Sequence, residues 1–227
     1  PTKEGIPELL MVITGLAKKF LENSLQYNPD APAKGTILEV KEEKGLGTTV
    51  DAIIYDGTMK VNDLLVIAGL DKPVITKIRA LLEPEELAEM RAKKSKFKPV
   101  KQVYAATGVK ISAPDLDKVL SGMPLAIATE KTLAKVSAEL QKEVTEIAAE
   151  TGTAGVVIKA DNLGSLEALN FILKENQIPF SSASIGEINK KDLLKAEVML
   201  EKNPFQALVI GFNVSVSQEA KEYAQAK

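Results

Sequence analysis

The most strongly charged stretch of the sequence is residues 91–101, which carries six basic side chains, no acidic one and an aromatic ring at Phe97. Basic side chains bind a phosphate backbone by releasing counterions, and an exposed ring can stack on a base or pack beside the charges. The candidate RNA contacts are Arg91, Lys93, Lys94, Lys96, Lys98 and Lys101. An acidic run at residues 83–89 could partly neutralise them, so a solvated helix end is an equally good interpretation.

A second place for chemistry is the loop at residues 160–165, which leads from an apolar run into a helical pattern. Backbone N–H groups at a helix N-terminus bind anions, so one interpretation is a nucleotide phosphate site. Neither the Rossmann glycine pattern nor the P-loop pattern is present. We favour a structural interpretation, in which Ser165 caps the helix and Glu167 lies in its first turn.

The 227 residues include no histidine and no cysteine. This excludes Ser-His-Asp triads, histidine-based zinc sites and cysteine nucleophiles. Without a P-loop as well, we expect the chain itself to be no enzyme, with no catalytic residue, no metal and no cofactor of its own. The apolar runs are too short to span a membrane, no secretory signal opens the sequence, and the lack of cysteine indicates a reducing compartment, so we expect a cytoplasmic protein.

The hydrophobic pattern predicts the elements that must position these candidates. Apolar residues from Ile6 to Leu21 recur at helical spacing, which predicts a helix within residues 1–28. Short runs rich in Val, Ile and Thr follow, separated by glycine and aspartate turns, and predict an antiparallel β-barrel over residues 29–128. The predicted strands are residues 35–40, 48–55, 64–67 and 74–80, and a charged helical or irregular excursion is predicted at residues 83–101.

A narrow apolar stripe marks the next segment, with lysine and glutamate between its members. It predicts a continuous connector helix over residues 130–150, within a segment 129–153 that can couple its two neighbours. The stripe consists of Leu133, Val136, Leu140, Val144 and Ile147. We expect it to face one of the two flanking domains, with hinges at Ser121-Gly122 and Thr151-Gly152.

The last segment, residues 154–227, alternates between strand and helix patterns. The alternation predicts a small parallel sheet with helices on both faces, an α/β/α domain. The predicted strands are residues 155–160, 180–185 and 207–216, and the predicted helices are residues 165–176 and 192–202 with a further helix from Gln218. We expect this domain to be truncated, with an edge strand following the last helix.

Several segments, taken together and in order, resemble the initiation factor 5B family of archaeal and eukaryotic translation, relatives of bacterial initiation factor 2. The segments are GIPELL at 5–10, KGLGTTVD at 44–51, YDGTMKVND at 55–63, GVKI at 108–111 and KADNLGSLEAL at 159–169. Asn62 stands where the family usually has glycine, and because asparagine tolerates positive φ we expect the turn to be kept. Asn162 stands where threonine or serine is usual.

The resemblance implies the central docking and relay section of a GTPase that promotes ribosomal subunit joining and places initiator methionyl-tRNA. The barrel would be domain II, resting on the small subunit and its rRNA, and the α/β/α region would be domain III. The N-terminal helix would end a GTPase domain outside this sequence, which would hold GTP and Mg²⁺. We expect that helix to dock on a neighbouring chain, as in a dimer, or to be poorly ordered.

Two alternatives to this interpretation stay open. One is a nucleotide- or small-molecule-binding βαβ protein with an accessory barrel, which would need a ligand fingerprint near residues 161–165. The other is a non-catalytic interaction module that binds an acidic protein through the basic stretch.

Overall fold

A computed structural model of the chain describes residues 4–21, 28–43, 45–70, 72–84, 97–148 and 154–226. The helices of this part are α1 (Ile6–Leu21), α2 (Leu133–Ile147), α3 (Leu163–Glu175), α4 (Lys190–Glu197) and α5 (Gln218–Gln225). The first strands are β1 (Lys34–Glu43), β2 (Gly47–Asp56), β3 (Thr58–Lys60), β4 (Leu64–Ile67), β5 (Val74–Lys77), β6 (Ala80–Pro84), β7 (Phe97–Val100) and β8 (Gln102–Tyr104). The remaining strands are β9 (Thr107–Ser112), β10 (Pro124–Ala128), β11 (Val156–Ala160), β12 (Phe180–Ile185) and β13 (Val209–Phe212).

The first ten strands form an antiparallel barrel-like structure. Eight of them make one sheet in the order β5-β4-β10-β1-β2-β9-β6-β7, and β3 pairs with β8 in a two-stranded ribbon. Backbone hydrogen bonds from Val61 to Lys101 and from Asn62 to Ile78 join the ribbon to the rest. Inward-pointing side chains such as Ile37, Ile54 and Leu65 are fully buried, so the predicted barrel is confirmed.

The structure corrects the prediction for residues 83–101. The expected helical or irregular excursion is wrong at both ends, because β6 continues to Pro84 and β7 begins at Phe97. The two strands pair in antiparallel fashion, with Glu83 opposite Lys98. Each strand carries a charged residue and a proline, Glu83 and Pro84 on β6 and Lys98 and Pro99 on β7, so neither shows the apolar alternation that predicts a strand. Residues 85–96 lie outside the described residues.

Two turns of the barrel depend on unusual backbone conformations. Asn62 has φ of 73°, as the asparagine-for-glycine replacement predicts. Gly57 has φ of 71°, and a Cβ atom there would lie 2.5 Å from the carbonyl oxygens of both Ala31 and Pro32. Glycine is therefore required at position 57 for conformation and for space.

The α/β region contains a three-stranded parallel sheet in the order β12-β11-β13. The chain moves from β11 outward to β12 and then back across to β13, so right-handed crossovers put α3 and α4 on opposite faces. Side chains of the central strand alternate accordingly. Ile158 belongs to the hydrophobic core shared with the barrel, whereas Lys159 is buried on the other face, 3.3 Å from Asp192 of α4. The predicted α/β/α architecture is confirmed.

The helix starts of this region differ from the prediction. Helix α4 spans Lys190–Glu197 rather than residues 192–202, and its earlier start follows from a capping box formed by Asn189 and Asp192. Helix α3 begins at Leu163, and its N-cap is Asn162, not Ser165. The Asn162 side chain accepts a hydrogen bond from the Ser165 backbone nitrogen at 2.8 Å, so asparagine takes the capping role that we assigned to serine.

The N-terminal helix α1 has no buried residue. Its large apolar side chains are between 47% and 71% exposed. A stripe of this size usually has a partner, and none of the described residues supplies one. None of the described helices combines the length and the apolar character needed to cross a membrane.

Candidate docking and relay site

Helix α2 contacts both halves of the molecule. It packs against β4 and β10 of the barrel and against α3 of the α/β region. All five residues of the predicted stripe join the hydrophobic core, with Leu140 and Val144 buried and Leu133, Val136 and Ile147 partly buried. The expectation that the stripe faces a single domain is wrong, because the barrel and α3 share the same apolar surface of α2.

A glutamine fixes α2 on the barrel. The side chain of Gln141 donates from Nε2 to the Gly69 carbonyl at 2.7 Å and accepts from the Gly69 backbone nitrogen at 3.4 Å. Gly69 is buried just after β4, so the amide side chain satisfies both backbone groups of a residue that lies outside the strand pairing. Sequence reasoning missed Gln141, because a polar residue beside an apolar stripe gives no signal of its own.

An asparagine joins the other end of α2 to α3. Asn170, which is 93% buried, donates from Nδ2 to the Ile147 carbonyl at 2.8 Å. The last carbonyls of a helix have no partner within the helix, so this bond satisfies one of them with a side chain of the next helix. Position and orientation of α3 are therefore tied to the C-terminus of α2.

A barrel turn also contacts the start of α3 directly. Gly122 has φ of 85°, and its nitrogen donates to the Ile37 carbonyl at 2.7 Å. A Cβ atom at this position would lie 3.0 Å from the Leu163 nitrogen and 3.4 Å from the Gly164 nitrogen. The predicted hinge at Ser121-Gly122 is thus wrong, since Gly122 lies in a packed contact. Thr151-Gly152 lies outside the described residues.

The loop at residues 160–165 is arranged for structure rather than for phosphate. The Asp161 carboxylate accepts hydrogen bonds from Asn213 at 2.7 Å and from Asn162 at 2.8 Å. The hydrogen bond from Asn213 is the main cause of the lowered pKa of Asp161, against the opposing effect of burial. The adjacent helix start faces Gly122, and its Ser165 amide is already capped. A fixed negative charge and occupied amides disfavour a nucleotide phosphate.

The structure describes part of the basic stretch. Lys98 on β7 and Lys101 after it are exposed. Arg91, Lys93, Lys94 and Lys96 lie outside the described residues. The Phe97 ring packs under the ammonium group of Lys110, whose nitrogen lies 4.7 Å from the ring centroid, so this ring is engaged by a buried cation.

Lys110 belongs to a charged cluster that spans β1, β2 and β9. Its nitrogen lies 2.7 Å from Glu43 and 3.0 Å from Asp51, although Lys110 is only 2% exposed. Lys41 pairs with the same Asp51 and with Glu39. Burial opposes the charge of Lys41, but the hydrogen bonds that its ammonium group donates to Glu39 and Asp51 outweigh this effect and raise its pKa. The cluster anchors β7, and sequence reasoning missed it because its members are far apart in the chain.

A groove of about 350 Å³ runs between α2 and the barrel. Its apolar part includes Val136 and Leu140, and its rim carries Asp56, Glu139 and Glu143. Tyr55 is half-exposed in this groove, and burial raises its pKa, followed by the negative charges of Glu143 and Asp56. Among the described residues, no group of three or more Asp or Glu side chains is arranged to hold a metal ion.

Known proteins match this chain over almost its whole length. The family described as Translation-initiation factor 2 matches residues 129–227. A probable translation initiation factor IF-2 from Methanosarcina acetivorans is 50% identical over 224 residues, which is 99% of this chain and 37% of that protein. The corresponding protein of Thermococcus sibiricus is 47% identical over 98% of this chain and 38% of its own length.

Solved structures agree with these relatives. The crystal structure of GDP-bound aIF5B from Aeropyrum pernix matches with a TM-score of 0.86 at 44% identity, covering 98% of this chain and 37% of that one. The chain therefore spans somewhat more than a third of the proteins it matches. Barrel, connector helix and α/β region occur together in one relative of high identity, and the chain belongs to the family of translation initiation factors of the IF-2 and aIF5B type.

Proposed function

We propose that this chain is the docking and relay section of a translation initiation GTPase. In this proposal the barrel rests on the small ribosomal subunit, and α2 transmits the nucleotide state of a GTPase domain toward the end that holds initiator methionyl-tRNA. The observation that carries the proposal is that α2 contacts the barrel and α3 at once. A rigid element held at two regions can make one follow the other.

The finer assignments belong to the same proposal. Residues 1–28 end the GTPase domain, residues 29–128 form domain II, residues 129–153 are the connector and residues 154–227 belong to domain III. GTP and Mg²⁺ bind in the GTPase domain, outside this chain. The partners are the small subunit and its rRNA, the large subunit during joining and, through a further domain, initiator methionyl-tRNA, all in the cytoplasm. The apolar surface of α1 packs on the GTPase sheet or, in the isolated chain, on a second copy.

The arrangement of contacts explains how motion would be transmitted. Gln141 joins α2 to Gly69 of the barrel, and Asn170 joins α3 to the end of α2. Gly122 gives the barrel a second, direct contact with α3. The barrel therefore contacts the α/β region at two separate points. If the barrel rotates, the α/β region must rotate with it or one of these contacts must break. The predicted relay residues, from Leu133 to Ile147, supply the apolar surface between these points.

The test uses the complete factor, because the relay connects domains beyond this chain. Gln141→Leu removes the hydrogen bonds to Gly69 while keeping a side chain of similar size. We expect the variant to promote subunit joining more slowly, as measured by light scattering. Ribosome-stimulated GTP hydrolysis in the same preparation should be unchanged. Lys142→Gln, on the exposed side of α2, is the matched control. Joining at the unaltered rate in a folded Gln141→Leu variant would contradict a relay through α2.

A further inference from the structure

We propose that the surface around the Asn62 turn binds the phosphate backbone of RNA through Lys60, Lys77, Arg79 and Lys101. We call these four residues the basic turn. The site extends the proposed docking role of the barrel and rests on it. Only Lys101 belongs to the basic stretch recognised in the sequence. Lys60 ends β3, Lys77 ends β5 and Arg79 lies between β5 and β6, so the fold brings two distant segments of the chain beside Lys101.

Backbone hydrogen bonds bring the segments of the basic turn together. The Val61 nitrogen donates to the Lys101 carbonyl at 3.0 Å, and the Asn62 nitrogen donates to the Ile78 carbonyl at 2.9 Å. Ile78 lies between Lys77 and Arg79, and its own nitrogen donates to Asp63 at 3.1 Å. The positive φ of Asn62 permits the tight turn that makes these bonds possible. Four cationic residues therefore flank one rigid turn.

The cationic groups of the basic turn are available to a ligand. All four residues are exposed, and none of their side chains forms an ion pair with another described residue. The neighbouring carboxylate, Asp63, is directed to the backbone, where it accepts a hydrogen bond from the Lys60 nitrogen at 2.7 Å. By contrast, Lys135 and Lys142 on α2 each pair with a glutamate one turn away. Unpaired cations on a rigid surface favour a polyanion.

An aromatic ring beside the basic turn favours RNA over an acidic protein. Lys60 is opposite Gln102 in the ribbon, and Thr58 is opposite Tyr104. Tyr104 is 46% exposed, and its hydroxyl is hydrogen-bonded to Gln102. An open groove of about 370 Å³ runs along Lys60, Gln102 and Tyr104, and its lining also includes Asp30 and Asp63. An RNA base can stack on such a ring while a lysine contacts the adjacent phosphate. An acidic peptide has carboxylates for the lysine but no base for the ring.

The test measures how RNA affinity depends on salt. A variant with Lys60→Gln, Lys77→Gln and Arg79→Gln is compared with the parent chain on an RNA hairpin and on an unstructured uridine oligonucleotide. The control variant, Lys135→Gln with Lys142→Gln and Lys118→Gln, loses the same charge elsewhere. We expect the slope of log affinity against log salt to fall by about two to three for the basic-turn variant. The control slope should stay as in the parent.

A second variant tests the aromatic part of the site. Tyr104→Leu should weaken binding of the uridine oligonucleotide roughly five- to a hundredfold, the range that loss of one stacked base gives, without changing the salt slope. Polyglutamate is the competing probe. Displacement of RNA from the basic turn by polyglutamate at equal charge concentration, with no effect of Tyr104→Leu, would assign the site to an acidic protein and overturn the proposal.

The outcomes separate this site from the wider proposal. If the parent binds RNA and the slope is unchanged in the basic-turn variant, the basic turn is not the contact, and docking through another surface still stands. If the parent binds neither RNA nor isolated small subunits, both the site and the docking role fail.

Discussion

Helices α1 and α2 have nearly the same length, 16 and 15 residues, and both follow from a regular apolar stripe. Their surroundings differ completely. The more apolar helix, α1, has no buried residue, whereas α2 buries Leu140 and Val144 between the barrel and α3. A stripe therefore predicts that a helix forms, but the partner that covers it lies in another part of the sequence or of the protein.

Polar side chains mark the difference between the two helices. On α2, Gln141 bonds to the barrel, and Asn170 of α3 bonds to the helix end. On α1, the hydroxyl of Thr14 bonds to the Leu10 carbonyl of the same helix. A polar group with an external partner gives a helix one orientation, because an apolar stripe alone tolerates several. We infer that α2 has a defined position and that α1 takes its position from a partner.

The largest effect should come from shortening a buried side chain of α2. Leu140→Ala should lower the free energy of unfolding by about 2 to 5 kcal/mol, because it leaves a cavity between α2 and the barrel. The same change at Leu9 of α1, which is 57% exposed, should stay within about 0.5 kcal/mol. Urea unfolding of both variants measures this. Equal losses would show that α1 is covered in the isolated chain.

A smaller loss should follow from Gln141→Leu. The change leaves the buried nitrogen and carbonyl of Gly69 without their side-chain partner, which costs about 1 to 3 kcal/mol. Gln218→Leu is the matched control, because Gln218 is exposed at the start of α5 and its side chain donates to Glu222 of the same helix. Thermal unfolding compares the two. A loss no greater than that of the control would mean that apolar contacts alone hold α2.

The sequence predicted most elements but not the contacts between them. Strand β4 and strand β12 agree with the prediction residue for residue, because period and flanking turns are local signals. The contacts of Gln141, Gly122 and Lys110 join residues far apart in the chain, so no spacing reveals them. The basic stretch was recognised because its charges are consecutive. The basic turn was missed because its charges come from three segments that are far apart in the chain, around Lys60, Lys77 and Lys101.

Substitutions on α1 should change association rather than stability. Leu9→Gln with Ile13→Gln removes two exposed apolar side chains from the stripe while keeping the helix length. If α1 pairs with a second copy in the isolated chain, light scattering should show less dimer at the same concentration, with an unchanged Tm. Gln218→Leu with Glu219→Gln, on the exposed start of α5, controls for general surface changes. A dimer fraction identical to that of the parent would exclude α1 as the interface.

The smallest effect reports directly on the position of α2. The negative charge of Glu143 on α2 is the second cause, after burial, of the raised pKa of Tyr55 on β2. Glu143→Gln should therefore lower that pKa, and burial and Asp56 should still hold it above the ordinary tyrosine value. In the parent, the pKa of Tyr55 is higher in the folded than in the unfolded protein, so the folded state binds the phenolic proton more tightly. This contribution to stability is complete below about pH 10, the pKa of an unfolded tyrosine, and is lost as pH rises through the pKa of the folded protein.

Ultraviolet absorbance of the phenolate follows this titration, and Tyr55→Phe identifies which of the four tyrosines contributes the signal. Glu146→Gln is the control, because Glu146 pairs with Lys142 on the exposed side of α2 and is not among the causes of the Tyr55 shift. If Glu143→Gln shifts the pKa of Tyr55 and Glu146→Gln does not, then α2 lies against the barrel in solution. A charge on a helix that moved freely would be screened over about 8 Å at physiological salt. If neither variant moves the titration, α2 does not hold its place beside Tyr55. It would then resemble α1, a helix that still needs a partner.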